Sequence, residues 1–135
     1  MSQKTRLPDA EEIAALVAFL PVFEAEGFVP IPNWHAARNE GGEATSFPWP
    51  IYDPAVDAFF RLAGKEPWCD YGYRPEVAGE LLADLERVGR ATLEEVRSMI
   101  TFCVRGERFC DGHWGGLIED GRLQRLLRRL AELSA

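Results

Sequence analysis

The chemically reactive side chains of this 135-residue sequence are concentrated in residues 105–121, which read RGERFCDGHWGGLIEDG. Asp111 and His113 are residue types that serve as general acid or base, so they are the catalytic candidates. Arg105 and Arg108 could hold a negatively charged group through charge-assisted hydrogen bonds. This combination is compatible with a phosphorylated or nucleotide-like ligand.

A sugar or nucleotide could also be held by Asp111 and Arg108 and be stacked on the ring of Trp114. Glu119 adds a further carboxylate to the segment. The ligand-binding candidates are therefore Arg105, Arg108, Asp111, His113, Trp114 and Glu119.

Three glycines of the segment share one face of a predicted short helix. Gly112, Gly115 and Gly116 are at positions i, i+3 and i+4, with Asp111 as the expected helix cap. A strip without side chains predicts tight contact with another helix. The alternative is a surface where a ligand reaches the backbone near a helix N-terminus, although the Asp111 carboxylate would compete there with an anion.

Cys110 and His113 have the spacing of half a zinc site, and Cys69 with Asp70 could complete four ligands. A second paired motif is missing, so we predict no metal and no cofactor. We expect a buried Cys110 and a His113 that is hydrogen-bonded to a neighbouring acid. A Cys110–His113 nucleophile pair would need an exposed cysteine, which the adjacent Phe109 argues against.

Composition predicts one cytoplasmic domain over residues 1–135, with a flexible N-terminus at 1–8. The sequence is 47% hydrophobic and 27% charged, and its three cysteines do not form a disulfide pattern. No apolar run approaches the ~20 residues that cross a bilayer, and the polar N-terminus does not resemble a secretory or transit signal.

The charge is unevenly distributed in this acidic protein, whose net charge is −7. Residues 1–60 carry nine acidic and three basic side chains, a net charge of −6. This balance argues against general nucleic-acid binding. Residues 121–135 have a net charge of +3 because four arginines oppose Glu132. We expect these arginines to form a solvated helix face, or alternatively a face for an acidic partner.

Helix-start signals occur along the chain. Asp9 with Glu12 and Thr92 with Glu95 have capping-box spacing, and Asp53 precedes a proline as a helix cap would. Apolar residues follow each start at helical spacing. The predicted inward residues are Ile13, Leu16, Val17 and Leu20; Val56, Phe59, Phe60 and Ala63; Val77, Leu81, Leu85 and Val88; Leu93, Val96, Met99, Ile100 and Cys103; and Leu123, Leu126, Leu127 and Leu130.

These stripes predict a mainly α fold, a compact bundle of four to five helices of ten to fifteen residues. Residues 28–52 break the helical pattern with prolines and glycines. We expect either a short β-hairpin or an irregular proline-rich arm there, with Phe28–Ile31 and Ala44–Ile51 extended and joined by a turn at 38–43. A lone hairpin is marginally stable, so it should lean on the helices through Trp34, Phe47 and Trp49.

Three short pieces carry a family resemblance: Phe47-Pro-Trp-Pro-Ile-Tyr, Trp68-Cys-Asp-Tyr and Arg105-x-x-Arg108-Phe-x-x-Gly112-His113. From about Ser46 onward the chain resembles an uncharacterised family of bacterial cytosolic domains. The resemblance implies a shared helical fold and assigns no activity.

No complete catalytic constellation is visible, so we favour a non-enzymatic module that binds a small ligand or a protein partner through residues 105–121 and the aromatic arm. The alternative is a small hydrolase or transferase. We also predict that Arg108 is partly buried and ties the turn after its helix, so that Arg108→Ala would cost about 2–4 kcal/mol.

Overall fold

A computed structural model describes residues 6–35, 49–108 and 110–134. Its regular elements are α1 (Ala10–Val17), α2 (Leu20–Phe23), β1 (Asn33–His35), β2 (Trp49–Ile51), α3 (Pro54–Ala63), a 3₁₀ turn (Glu66–Trp68), α4 (Pro75–Ala83), α5 (Leu85–Val88), α6 (Leu93–Gly106), α7 (His113–Glu119) and α8 (Arg122–Ser134). The mainly α class is confirmed, whereas four to five helices is too low a count for these residues. Within the same residues, no helix is both long and apolar enough to span a membrane.

The predicted helix starts are confirmed by side-chain hydrogen bonds. Asp9 and Glu12 each accept from the other's backbone amide, and so do Thr92 and Glu95. The Asp53 carboxylate accepts from the amide of the second residue of α3 at 2.9 Å. A cap of this kind stabilises a helix by about 1 kcal/mol.

The core is arranged around α8, which packs against α1, α2, α4, α5, α6 and α7. Four leucines of α8 are fully buried, as predicted, because their three- and four-residue spacing puts them on one face. Burying each leucine contributes about 1.5–3 kcal/mol. Those leucines are Leu123, Leu126, Leu127 and Leu130.

The predicted stripe over residues 77–88 is wrong at two positions. Val77 and Leu85 are 44% and 57% exposed. For Leu85 the reason is Asp84, which ends α4 and whose carboxylate accepts from two amides at the start of α5, so that no single helix carries the period through. The residues that face the core are Ala78, Leu81, Leu82 and Val88.

The arm contains a short antiparallel hairpin, with β1 beginning later than the predicted strand at Phe28–Ile31. Asn33 pairs with Ile51, Trp34 with Pro50 and His35 with Trp49. Directly opposed residues share a face, so Trp34 and Pro50 lie on one side and the other two pairs on the other. The predicted turn at 38–43, residues 44–48 and the contact through Phe47 lie outside the described residues.

Residues 1–5 of the predicted flexible N-terminus are also outside the described residues. In the described remainder, Arg6 donates to both carboxylate oxygens of Glu12 at 2.6 and 2.8 Å. Pro8 is buried. The chain entering α1 is therefore held by its own first turn.

Candidate functional site

Glu107 organises the turn between α6 and α7. Its Oε1 accepts from the Tyr52 hydroxyl at 2.8 Å and from the Trp114 amide at 2.9 Å. Its Oε2 accepts from the Gly112 amide at 2.9 Å. One carboxylate thus satisfies two amides at the start of α7 and binds the tyrosine that ends the arm.

The prediction that Asp111 caps this helix is wrong. Asp111 is exposed, and its carboxylate accepts no hydrogen bond from any described residue. The cap position is occupied by Gly112 at φ +89°, a left-handed conformation that favours glycine. Because Glu107 already accepts from two amides at this helix N-terminus, its carboxylate would compete with an anion there. A carboxylate that reaches forward over a turn leaves no local sequence signal.

The glycine strip at the start of α7 is covered by the arm, whereas the predicted partner is another helix. A Cβ added at Gly115 would lie 2.5 Å from Ile31 Cδ1, and one at Gly112 would lie 3.1 Å from Trp34 Cη2. A Cβ at Gly116 would meet nothing within 4 Å. The prediction of a close contact at the glycine strip is therefore correct, whereas the prediction that the contacting element is a helix is wrong.

Trp114 is occupied by internal contacts. Its ring stacks on Phe60 with centroids 4.3 Å apart and planes inclined by 4°. Its Nε1 donates to the Cys103 carbonyl at 3.1 Å, and the Tyr52 ring lies 5.4 Å away. Burial and the adjacent Glu107 carboxylate raise the pKa of Tyr52 far above its usual range. The Phe60 ring therefore covers one face of the Trp114 indole.

His113 lies against Gly106, where an added Cβ would overlap the imidazole. Its Nε2 is buried without a hydrogen-bond partner among the described residues, so the expected bond to a neighbouring acid is absent there. The ring of Phe102 meets the imidazole edge-on at 5.7 Å. Burial, reinforced by repulsion from Arg122, lowers the pKa of His113 below its usual value.

The two arginine candidates have different surroundings. Arg105 is half-buried and its guanidinium lies 5.0 Å from the centre of the Tyr73 ring, a cation–π contact. Arg108 is exposed and its side chain has no hydrogen-bond or ion-pair partner in the described part of the chain. The prediction of a buried Arg108 is therefore wrong, because α6 continues to Gly106 and leaves Arg108 on the outside of the turn.

Glu119, the last ligand-binding candidate, is exposed at the end of α7. No side-chain hydrogen bond or ion pair joins any two of the six candidates within the described ranges. The structure places them along one segment, and their side chains point to separate environments.

The three cysteines differ in burial. Cys110 is exposed, contrary to the expectation of burial, and Cys69 donates to the Gly64 carbonyl at 3.4 Å. Cys103 is fully buried, and burial raises the pKa of its thiol to about 12. Among the residues that the structure describes, no group of three or more His, Cys, Asp or Glu side chains is arranged to hold a metal.

The structure also contains a pocket of about 230 Å³ between α4 and the start of α6, which was not predicted from the sequence. Asp70 lies at its rim, accepting from the Ser98 hydroxyl and from the Gly72 amide. The Asp70 amide donates to Thr101 Oγ1 at 3.0 Å. These bonds attach residues 68–73 to α6, so the aspartate there is a structural residue of the loop.

Comparison with known proteins identifies a family and no activity. A family of unknown function (DUF6508) matches residues 8–135. This match begins well before Ser46, where the sequence resemblance starts. No curated protein and no solved structure matches the chain.

Proposed function

The chain belongs to this family of unknown function, and we propose that it is a non-enzymatic module that binds a basic segment of a protein partner. The proposed contact surface, here called the arm face, consists of Asn33, His35, Trp49 and Ile51. Residues 105–121 serve as the platform on which the arm rests.

The exposed aromatic and aliphatic side chains of the arm face carry this proposal. Trp49 is 45% exposed and Ile51 is 43% exposed, on the side of the hairpin that faces away from α7. The His35 ring packs against Trp49 in a tilted arrangement with centroids 4.2 Å apart, which restricts the indole. Tryptophan dominates many interface hot spots because it buries a large area at little cost in conformational entropy.

The platform fixes the arm face by close packing and hydrogen bonds. On the inner side, Ile31 fills the space above Gly115 and Trp34 lies against Gly112. The Asp53 amide donates to the Pro30 carbonyl at 2.9 Å, and the Tyr52 hydroxyl donates to Glu107. A surface that is ordered before binding loses less entropy on association.

The chemistry of the partner follows from charge and from the exposed indole. The whole chain has a net charge of −7, and the first 60 residues, which include the arm, contribute −6. Such a field attracts a basic segment and accelerates its association. An arginine of that segment can stack on Trp49, while an apolar neighbour packs on Ile51.

A selection from a random peptide library displayed on phage tests this proposal with a defined probe. We expect binders enriched in arginine and lysine beside one apolar residue, with affinity reduced at least about tenfold by Trp49→Ala combined with Ile51→Ala. Leu85→Ala is the control, because Leu85 is an even more exposed apolar residue that belongs to α5. Binders that are acidic, or whose affinity does not depend on Trp49, would disprove the proposal.

The hydrolase or transferase alternative has weaker support. Asp111 is exposed and without a partner among the described residues, and His113 turns its Nε2 toward Gly106. A general acid or base pair needs its members within hydrogen-bond reach of a common substrate atom.

A further inference from the structure

A second surface on this acidic chain has the opposite charge. Arg90 and Arg125 line a pocket of about 360 Å³ between α5 and α8, together with Gly89 and Glu86. Arginine combines a permanent charge with a planar set of donors that matches phosphate and carboxylate groups. Two such side chains line one open pocket, although the chain as a whole has a net charge of −7.

Gly89 provides the space that Arg125 occupies. A Cβ added at Gly89 would overlap Arg125 Nη2 and would lie 3.4 Å from its Cζ. The φ of Gly89 is −66°, which any residue adopts, so glycine is not needed there for the backbone conformation. Its missing side chain lets the guanidinium lie directly against the turn.

The donors of Arg90 and Arg125 are not used by the described part of the protein. No ion pair or side-chain hydrogen bond engages either guanidinium there, whereas the other arginines of α8 are engaged. Arg122 binds Asp120 at 2.8 Å, and Arg128 pairs with Glu24. A guanidinium carries five N–H donors, so a half-buried Arg125 without a carboxylate partner has unused binding capacity.

A neighbouring arginine fixes the wall of this pocket. Arg129 Nε donates to the Ala91 carbonyl at 2.9 Å, and its Nη1 lies 3.5 Å from Glu132. This bond ties α8 to the chain just after α5. The two open guanidinium groups are therefore presented from a fixed turn and a fixed helix.

We propose that this pocket binds a small phosphomonoester whose organic part carries a hydroxyl group. Arg90 and Arg125 would each donate to phosphate oxygens, as guanidinium groups do in bidentate pairs. Glu86, which lines the same pocket, repels an anion at close range but accepts a hydrogen bond from a hydroxyl. The arginine pair therefore takes the phosphate, and the carboxylate selects the hydroxylated end.

Calorimetric titration at constant ionic strength tests this site, with inorganic phosphate and glycerol 3-phosphate as probes. We expect saturable binding of the ester, weakened about tenfold or more by Arg90→Gln and by Arg125→Gln. Arg61→Gln is the matched control, because it removes the same charge from an exposed arginine of α3, outside this pocket. It should leave the affinity unchanged.

Gly89→Ala gives a second test in which every charge is retained. The new methyl group has to displace the Arg125 guanidinium, which is the end of a flexible side chain, so the variant should fold, as circular dichroism would verify. We expect it to weaken binding as Arg125→Gln does.

Three results would overturn the assignment. The wild type could show no saturable binding of the ester, or Arg61→Gln could weaken binding as much as Arg125→Gln, which would indicate unspecific attraction. An acidic peptide that binds this surface more tightly than glycerol 3-phosphate would identify a protein-docking face. Inorganic phosphate that binds as tightly as the ester would contradict the role of Glu86.

Discussion

The Tyr52 hydroxyl donates a hydrogen bond of 2.8 Å to Oε1 of Glu107, across 55 residues of sequence. Tyr52 follows the last strand of the arm, and Glu107 follows the last residue of α6. The same carboxylate holds the Gly112 and Trp114 amides. The arm and the 105–121 segment are therefore coupled by one side chain, and a change at Glu107 should affect both.

Replacing Glu107 by alanine should destabilise the protein by about 2–3 kcal/mol, because three half-buried donors would lose a charged acceptor. The free energy of unfolding from urea titration measures this loss. Glu107→Gln retains one carbonyl acceptor and should cost less.

Asp111→Ala is the matched control for Glu107→Ala. Asp111 is an exposed carboxylate in the same turn, so its removal should change the free energy of unfolding by less than about 0.5 kcal/mol. An Asp111→Ala variant as unstable as Glu107→Ala would show that Asp111 also contributes to the cap.

The two neighbouring glycines of α7 should respond to alanine in opposite directions. Gly115→Ala places a methyl group where Ile31 lies and should cost about 1–3 kcal/mol by overpacking. Gly116→Ala meets open space inside a helix and should stabilise by about 0.5–1 kcal/mol. Thermal or urea unfolding of both variants gives the comparison.

Combining Gly115→Ala with Ile31→Ala provides the check on that mechanism. Because the smaller side chain removes the clash, the double variant should lose less stability than the sum of the two single changes. Additive losses would mean that Ile31 does not cover Gly115 in solution.

Acidification should destabilise the protein through His113. Burial lowers the pKa of His113 in the folded state, so the unfolded chain takes up the proton first. The stabilising contribution of the neutral imidazole is fully present above the unfolded value of about 6.5 and is lost as pH falls through the lowered pKa of the folded state. One such group gives a slope of at most about 1.4 kcal/mol per pH unit.

Urea titrations of wild type and His113→Gln between about pH 7.5 and 5 measure this effect, and the variant should show the smaller decline in the free energy of unfolding. His35→Gln removes the other, exposed imidazole and is the control. A decline that disappears with His35→Gln and persists with His113→Gln would contradict the assignment.

Arg108→Ala should change the free energy of unfolding by less than about 0.5 kcal/mol, since the side chain is exposed and has no partner among the described residues. Arg129→Ala should cost about 1–2 kcal/mol, because it removes the donor to the Ala91 carbonyl. A shift of the urea midpoint for Arg108→Ala comparable to that for Arg129→Ala would restore the prediction from sequence that Arg108 ties the turn.

The sequence by itself determined the features that depend on neighbours within one or two helical turns. Reciprocal caps such as Thr92 with Glu95 form between residues three apart, and the leucines of α8 share a face through the helical period alone. The hairpin was predicted as one of two alternatives for the same reason, since proline and glycine act locally. Its first strand lies later in the chain than expected, at Asn33–His35, because the position of that strand depends on the part of the fold on which the arm rests.

Tertiary structure decided which side chains of residues 105–121 are engaged in internal contacts and which are exposed to solvent. Glu107 rather than Asp111 caps α7, because a carboxylate several residues away reaches the amides once the turn folds back. Ile31 rather than a helix covers Gly115, and the Nε2 of His113 is buried against Gly106. The open guanidinium groups of Arg90 and Arg125 come together only where α5 meets α8. Such contacts join residues distant in sequence, and no local period or spacing encodes them.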